Sequence, residues 1–267
     1  MAISHDDAAR PALVLDAGTG LRQVTPLLGG GPFTGTILLT HLHWDHVHGL
    51  PFFRGGDREG ARVTLLLPAQ ESGESAAAAL ARGMSPPHFP IGPDGLRGDW
   101  TFGSLDPGPL KAEGFTVEAR EVPHKGGRTY GYRVSDGHSV LTYIPDHCPT
   151  VLGPGPEGLG EYHPAALDLA AGTDLLIHDA FLLASEVPAE AAFGHAAAQY
   201  AAGLGRRAGA RRVALAHHKP ARTDDELDAL ARSFAPGGAA GPVSSGGPGT
   251  PGTPEIFVAA EGGILEL

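Results

Sequence analysis

The chain has 267 residues, 42% of them hydrophobic and 6% aromatic, enough apolar side chain to bury the core of one domain. Its formal net charge of -11 disfavours loose binding to DNA or tRNA, because affinity for a polyanion comes mainly from Lys and Arg neutralising phosphates. Cys148, the single cysteine, excludes an internal disulfide framework; with no charged-then-apolar leader and no apolar run near the ~18 residues of a membrane span, the expectation is a soluble cytoplasmic protein.

In chain order, runs of strand length and character are ALVLDAG (12–18), TILLT (36–40), RVTLLLP (62–68), FTVEAREV (115–122), TYGYRVS (129–135), SVLTYIPD (139–146), DLLIHDA (174–180), RRVALAHH (211–218) and EIFVAA (255–260). Helical patterns fall at 73–82, 195–208 and 224–234, and the last opens with TDDE, where Thr223 and Glu226 are spaced for a capping box. With 40 glycines and 24 prolines much of the chain must turn, and the Gly/Pro/Ser-rich stretch 236–254 reads as a mobile loop. Strands come in pairs early and alternate with helices late, an order that predicts layered α/β with mixed sheets in a single domain over 1–267.

Histidine and aspartate collect at the ends of these strands. Asp16 follows LVL, His41 follows ILLT, His124 follows EVP, Asp146 follows LTYIP and His217 follows VALA. Residues just beyond the ends of neighbouring strands converge on one rim of a sheet, where loops carry chemistry on a rigid scaffold. The densest cluster is THLHWDHVHGLPFF (40–53), with His41, His43, Asp45 and His46. In an extended segment His41 and His43 point the same way, and Asp45 and His46 follow on a turn. Imidazole nitrogens mixed with carboxylates suit zinc and its neighbours, whereas all-oxygen sets suit magnesium or calcium. At the end of the strand over 211–218 either His217 or His218 is placed to ligate. Elsewhere, His48 is expected to face solvent or cap the first helical turn, and His5, His88, His138, His147, His163 and His178 to lie on the surface or hydrogen-bonded in loops. Cys148 reads as a small packed hydrophobe.

The H-x-H-x-D-H run, with isolated His, Asp and His at later strand ends, resembles the metallo-β-lactamase superfamily. LDAGTGLR (15–22), LLIHDAF (175–181) and GHAAAQYAA (194–202) bring the resemblance closest to its ribonuclease Z-like and phosphodiesterase branch. The resemblance covers nearly the whole chain and implies a four-layer αββα sandwich of two mixed β-sheets. It also implies two divalent metal ions, zinc first, with manganese or iron as alternatives. His41, His43 and His124 would hold the first ion, Asp45, His46 and His217 the second, and Asp146 would bridge them. His217 is preferred to His218 because its spacing from the strand matches the family's Leu-x-His ending. A hydroxide between ions ~3.5 to 4 Å apart would attack phosphorus or a carbonyl carbon. By the same resemblance Asp45 would orient that hydroxide, and His195, at a helix start, would bind substrate phosphate or protonate the leaving oxygen. Asp179 would steer a ligand ring through a hydrogen bond, and Asp16 is read as an orienting residue of the same kind, with a simple turn residue as the alternative.

Related chains usually open with a strand, a turn and a second strand before the LDAGTG equivalent; only MAISHDDAARP precedes it here, so the first sheet is expected to lack edge strands. Ribonuclease Z enzymes carry a protruding tRNA-binding arm where this sequence has only KGGRTYGYRVSDGHSVLTYIP (125–145), which two strands and a turn consume. MSPPHFPIGPDGL (84–96) resembles the Pro- and aromatic-rich loop that walls the pocket of smaller phosphodiesterase-like members. The expected substrate is therefore a small phosphodiester, cyclic nucleotides included, with neither nucleic acid nor membrane as partner and a homodimer as an open option. A lactonase or thioesterase is the alternative, favoured by an apolar pocket around Phe52, Phe53, Phe89 and Phe181. A tRNA 3′-processing endonuclease and a non-catalytic metal-binding module are the remaining readings. Nothing in the chain resembles a flavin domain, which disfavours the redox flavodiiron branch.

Overall fold

A computed structural model describes residues 1–6, 8–155, 157–235, 237–238 and 253–267. The loop expected over 236–254 thus lies outside the described residues, apart from 237–238 and 253–254. The chain divides into two compact units, Met1–Thr116 and Val117–Leu267.

The first unit holds a five-stranded sheet of β1 (Ala2–Ile3), β2 (Leu13–Leu15), β3 (Thr34–Leu38), β4 (Arg62–Pro68) and β5 (Asp99–Leu105), in that order. β1 runs antiparallel to β2, and β2 to β5 are all parallel, so the sheet is mixed. Parallel neighbours need crossovers long enough to return to the same end. Here these carry short helices, α1 (Val24–Leu27), α2 (Trp44–Val47) and α3 (Ala76–Ala81). The turn-rich connectors between β2 and β5 therefore recross the sheet instead of reversing into hairpins. Register sets Val14 beside Ile37 and Ile37 beside Leu65, and these side chains join Phe33, Phe53 and Leu67 in one core. Each such burial is worth about 1.5 to 3 kcal/mol relative to exposure. β1, which the sequence did not reveal, covers the outer edge of β2, and β5 was hidden because its residues are only half-buried and include Gly103.

The other sheet is seven-stranded, in the order β12-β11-β10-β9-β8-β7-β6, with β6 (Gly108–Ala112), β7 (Phe115–Glu121), β8 (Tyr130–Ser135), β9 (Val140–Ile144), β10 (Leu175–Asp179), β11 (Arg212–Ala216) and β12 (Glu255–Val258). The chain passes from one unit to the other within β7. β8 is antiparallel to β9, and β9 to β12 are parallel, so this sheet is mixed as well. Its helices are α4 (Pro164–Ala170), α5 (Val187–Glu190), α6 (Ala198–Ala208) and α7 (Asp224–Phe234). Ile144, Leu176, Val213 and Leu215 from the strands pack with Leu169 of α4, Tyr200 and Leu204 of α6, and Leu230 and Phe234 of α7. The capping box is formed: Glu226 N–H donates to Thr223 Oγ1 at 3.3 Å, and Thr223 N–H donates to Glu226 Oε2 at 2.8 Å.

One helix departs from expectation. α6 starts at Ala198, so His195 lies in the segment ahead of it rather than at its first turn. The reason is local: Ala196 N–H donates to Asp179 Oδ2 at 3.1 Å, and Ala197 forms a parallel bridge with Leu182, which holds residues 195–197 out of the helix. Among the described residues, no helix is long and apolar enough to cross a membrane.

Candidate metal centre

In the first unit the candidate site grows from two adjacent strand ends. Leu15 and Leu38 are register partners, so Asp16 and the segment after Leu38 leave the sheet at the same edge. Asp16 turns there with φ 62°, a left-handed conformation uncommon outside glycine. Its Oδ1 accepts the Thr40 N–H at 2.7 Å, and its Oδ2 lies 2.8 Å from His46 Nδ1. The Thr40 hydroxyl donates to the same carboxylate, 2.9 Å from Oδ1 and 3.0 Å from Oδ2. A hydroxyl has a single proton, so the 3.1 Å contact between Thr40 Oγ1 and His41 Nδ1 must run from the ring N–H to the oxygen. One carboxylate therefore sets the proton on two rings: neutral His41 and His46 both carry it on Nδ1 and turn a lone pair outward on Nε2. Burial drives Asp16 upward, but the hydrogen bonds from His46 and the Thr40 N–H, together with the positive charge that His46 and His41 carry whenever they are protonated, outweigh it, and its carboxyl sits below the ordinary range.

The His41 and His43 ring centroids are 4.4 Å apart, those of His41 and His46 are 4.2 Å apart, and Asp45 Oδ2 is 3.4 Å from His46 Nε2. Gly18 lets the loop after β2 pass α2 at this distance, since a Cβ there would overlap the Asp45 carbonyl oxygen.

In the second unit the donors come from several strand ends. Register places His178 beside Ile144 and Asp179 beside Ala216, so Asp146, Asp179 and His217 gather at one edge of the sheet. His124 follows β7, and its Nδ1 lies 2.8 Å from the Gly194 carbonyl oxygen. A carbonyl only accepts, so this ring also carries its proton on Nδ1 and directs Nε2 at Asp146 Oδ1, 3.5 Å away. The other oxygen of Asp146 is 3.7 Å from His217 Nε2, and the residue is 1% exposed. His195 Nδ1 is 3.0 Å from Asp179 Oδ2 and 3.5 Å from Asp146 Oδ1, with the Phe181 ring stacked on it at 4.3 Å. Asp179 is itself held by N–H donors from His147, Phe181 and Ala196. Ligand atoms of His124, Asp146 and His195 lie within 4.8 Å of one another, as do those of Asp179, His195 and His217. His217 is left-handed, with φ 54°.

The sequence-derived residues thus fall into two sets. His41, His43, Asp45 and His46 stand together with Asp16 in the first unit, and His124, Asp146 and His217 with Asp179 and His195 in the second. Of the pair after β11, His217 faces Asp146; among the described residues no such donor group includes His218, which burial holds below its ordinary pKa. Both sets fit a borderline cation such as zinc, because imidazole nitrogens with their protons fixed on the far side stand beside carboxylate oxygens.

Sequence reasoning missed the hydroxyl of Thr40 and the carbonyl of Gly194, and it named Phe181 as a pocket wall without its stacking on His195. The threonine directly ahead of the first histidine and the Gly-His pair were the signals available. His178 is a correction: instead of lying on the surface or in a loop it is fully buried within a strand, whereas His147, hydrogen-bonded in the loop after β9 as expected, is fully buried with it. His178 sits inside β10, its Nδ1 2.8 Å from the Asp179 carbonyl oxygen and its Nε2 3.1 Å from His147 Nδ1, with Tyr200 against both rings. A strand covered on both faces has no polar side to alternate with, so its histidine is enclosed too. Phe53 is a second correction, because it is fully buried and packs on Phe33 in the first unit's core.

Mixed sheets with imidazole and carboxylate donors at their strand ends define a metal-dependent hydrolase of the metallo-β-lactamase fold. The chain belongs to the beta-lactamase superfamily: residues 12–218 match the family described as "Beta-lactamase superfamily domain". Within it the chain is ribonuclease Z-like, being 27% identical over 223 residues to ribonuclease Z of Salinibacter ruber, 68% of this chain and 67% of that one. Among solved structures, the metallo-beta-lactamase fold protein YhfI from Bacillus subtilis superposes with a TM-score of 0.66 at 16% identity, covering 97% of this chain and 88% of that one. A diphosphatase from the PhnP family gives 0.62 at 18% identity, covering 99% and 82%.

Proposed function

We propose that the two donor sets together hold two divalent cations in one hydrolase domain, and that the protein is a phosphodiesterase acting on a small phosphodiester. The observation that carries this reading is the proton placement on His41, His46 and His124, each fixed on Nδ1 by an oxygen acceptor that leaves Nε2 as the ligating atom. His41, His43 and His124 are assigned to one cation, Asp45, His46 and His217 to the other, and Asp146, whose two oxygens face different histidines, to both. Zinc suits these donors best, with manganese or iron next. When bound, such a pair lowers the pKa of water toward neutrality and offsets charge developing on the phosphoryl oxygens.

The chain's own residues do the rest. The Asp45 side chain, 61% exposed, is placed to orient the attacking oxygen. Asp179 accepts the Nδ1 proton of His195 and Phe181 fixes the ring plane, so His195 Nε2 is the atom that delivers a proton to the leaving oxygen. Phosphoester chemistry is supported by the names of similar proteins, a diphosphatase and a ribonuclease Z. A small substrate is favoured because His124 and Asp146 are joined only by the β8–β9 pair and the net charge is -11. The ribonuclease Z relative favours tRNA 3′ processing as the second reading. The single cysteine fits a reducing compartment, hence the cytoplasm.

Metal content and hydrolysis of bis(p-nitrophenyl) phosphate, measured on one purified sample beside Asp146→Ala, test the reading. About two metals per chain and turnover abolished in the variant are expected. Metal without turnover on any phosphodiester or tRNA precursor would move the assignment to lactone or thioester substrates, and turnover that survives Asp146→Ala would remove the two-cation centre.

A further inference from the structure

We infer that Trp44, eight residues ahead of the exposed Phe52, is a stacking platform for a planar ring of the substrate, so that the phosphodiester taken by this protein carries a nucleobase. The inference rests on the hydrolase reading above. Trp44 stands between His43 and Asp45, the two donors at the start of α2, so a ring held there belongs to a molecule whose other end meets the donor set. Trp44 is 72% exposed and Phe52 59%, an unusual amount of aromatic surface to leave in water within nine residues.

Neither ring is loose. The indole is stacked on the His48 imidazole at 5.2 Å with 21° between planes, and Gly83 backs that imidazole closely enough for a Cβ there to come within 3.9 Å of Nε2. Phe52 meets Phe89 edge to face at 6.0 Å, and Phe89 packs on the core of the first unit. One face of the indole is covered by His48, so its exposure is that of the opposite face. Holding an exposed ring in place costs side-chain entropy, and stacking of a ligand gives that order a use.

The rim decides the occupant. Asp45 and His48 border the platform, and an apolar protein partner would strip water from that carboxylate without replacing it. A nucleobase offers a π-face to the indole and keeps its polar edges toward the rim and solvent, and stacking of this kind tolerates any base.

Fluorescence gives a readout independent of turnover. The chain has two tryptophans; Trp100 is half-buried with its Nε1 tied to the carbonyl oxygens of Gly56 and Arg97 at 3.1 and 3.0 Å, so the part of the quench that Trp44→Leu removes reports Trp44. Adenosine 5′-monophosphate added to the metal-loaded protein is expected to quench that emission saturably, and ribose 5-phosphate and inorganic phosphate are not. In Trp44→Leu the quench disappears and kcat/KM for 3′,5′-cyclic AMP falls about tenfold through KM, whereas Trp44→Phe, which keeps a π-face, stays within about threefold. Absence of quenching by the nucleotide, or equal quenching by ribose 5-phosphate, overturns the platform. A concentration-dependent dimer that Trp44→Leu dissociates, without nucleotide quenching, overturns it too and makes this face a contact between two copies. Quenching without hydrolysis leaves the platform standing and removes the phosphodiesterase reading; hydrolysis without quenching does the reverse.

Discussion

The first unit packs its donors into one loop and a single turn of helix, whereas the second gathers its own from strand ends between His124 and His217. The difference is one of what holds them. In the first, Asp16 reaches two rings at once, directly to His46 and through Thr40 to His41. In the second, sheet register brings Asp146, Asp179 and His217 to one edge, and the rings of His124 and His195 each have a separate acceptor. A local cluster is thus set by one hub, and a dispersed one by the scaffold.

Substitutions in each unit test that contrast. The largest effect is expected at His195: His195→Ala should lower kcat about 10²- to 10⁴-fold with an alkoxide leaving group, and far less with p-nitrophenolate, which needs no proton. Equal losses with both leaving groups would remove His195 as the proton donor. Next come the two orienting carboxylates. Asp16→Ala should weaken metal affinity about 10- to 100-fold, since two ligand rings lose their anchor together, while Asp179→Ala should leave metal content near normal and reduce turnover through His195 alone. Metal titration of both variants decides it, and the same loss of affinity in each would erase the distinction between hub and scaffold.

Acid should affect the second unit in a manner its fold specifies. Burial holds His178 and His147 below the 6.5 of an exposed imidazole, and the groups facing His178 are His147, Asp179 and Tyr200. The unfolded chain binds those protons more readily, so their contribution to stability is complete above about pH 6.5 and is lost as pH falls below it. Thermal unfolding should show Tm falling on that acid side, with a shallower fall in His178→Leu; an unchanged slope would mean that neither ring titrates with folding. The smallest effect is at the capping box, where Thr223→Ala should cost about 1 kcal/mol by chemical denaturation and leave turnover intact.

How legible each region was follows from the same contrast. The cluster from His41 to His46 is local, so spacing alone exposed it, and the strand-end positions of His124, Asp146 and His217 could be read from apolar runs that stop short of them. What could not be read was carried by backbone or by distant side chains: the Gly194 carbonyl on His124, the Thr40 hydroxyl between Asp16 and His41, and the Asp179 bonds that keep His195 ahead of α6. β1, with two residues, and β6, with the sequence GPLKA, gave no pattern to detect, and His178 was misplaced because a fully covered strand shows no alternation.

The left-handed backbone at His217 bears on redesign. Histidine, asparagine and aspartate tolerate φ near 54°, but cysteine has no such preference and β-branched residues are strained there. His41, His43 and His46 have no positive φ, so they have more freedom to accept sulfur or oxygen donors. An attempt to retune the protein toward a softer or harder metal should therefore begin in the first unit, with His217 kept or exchanged only for aspartate.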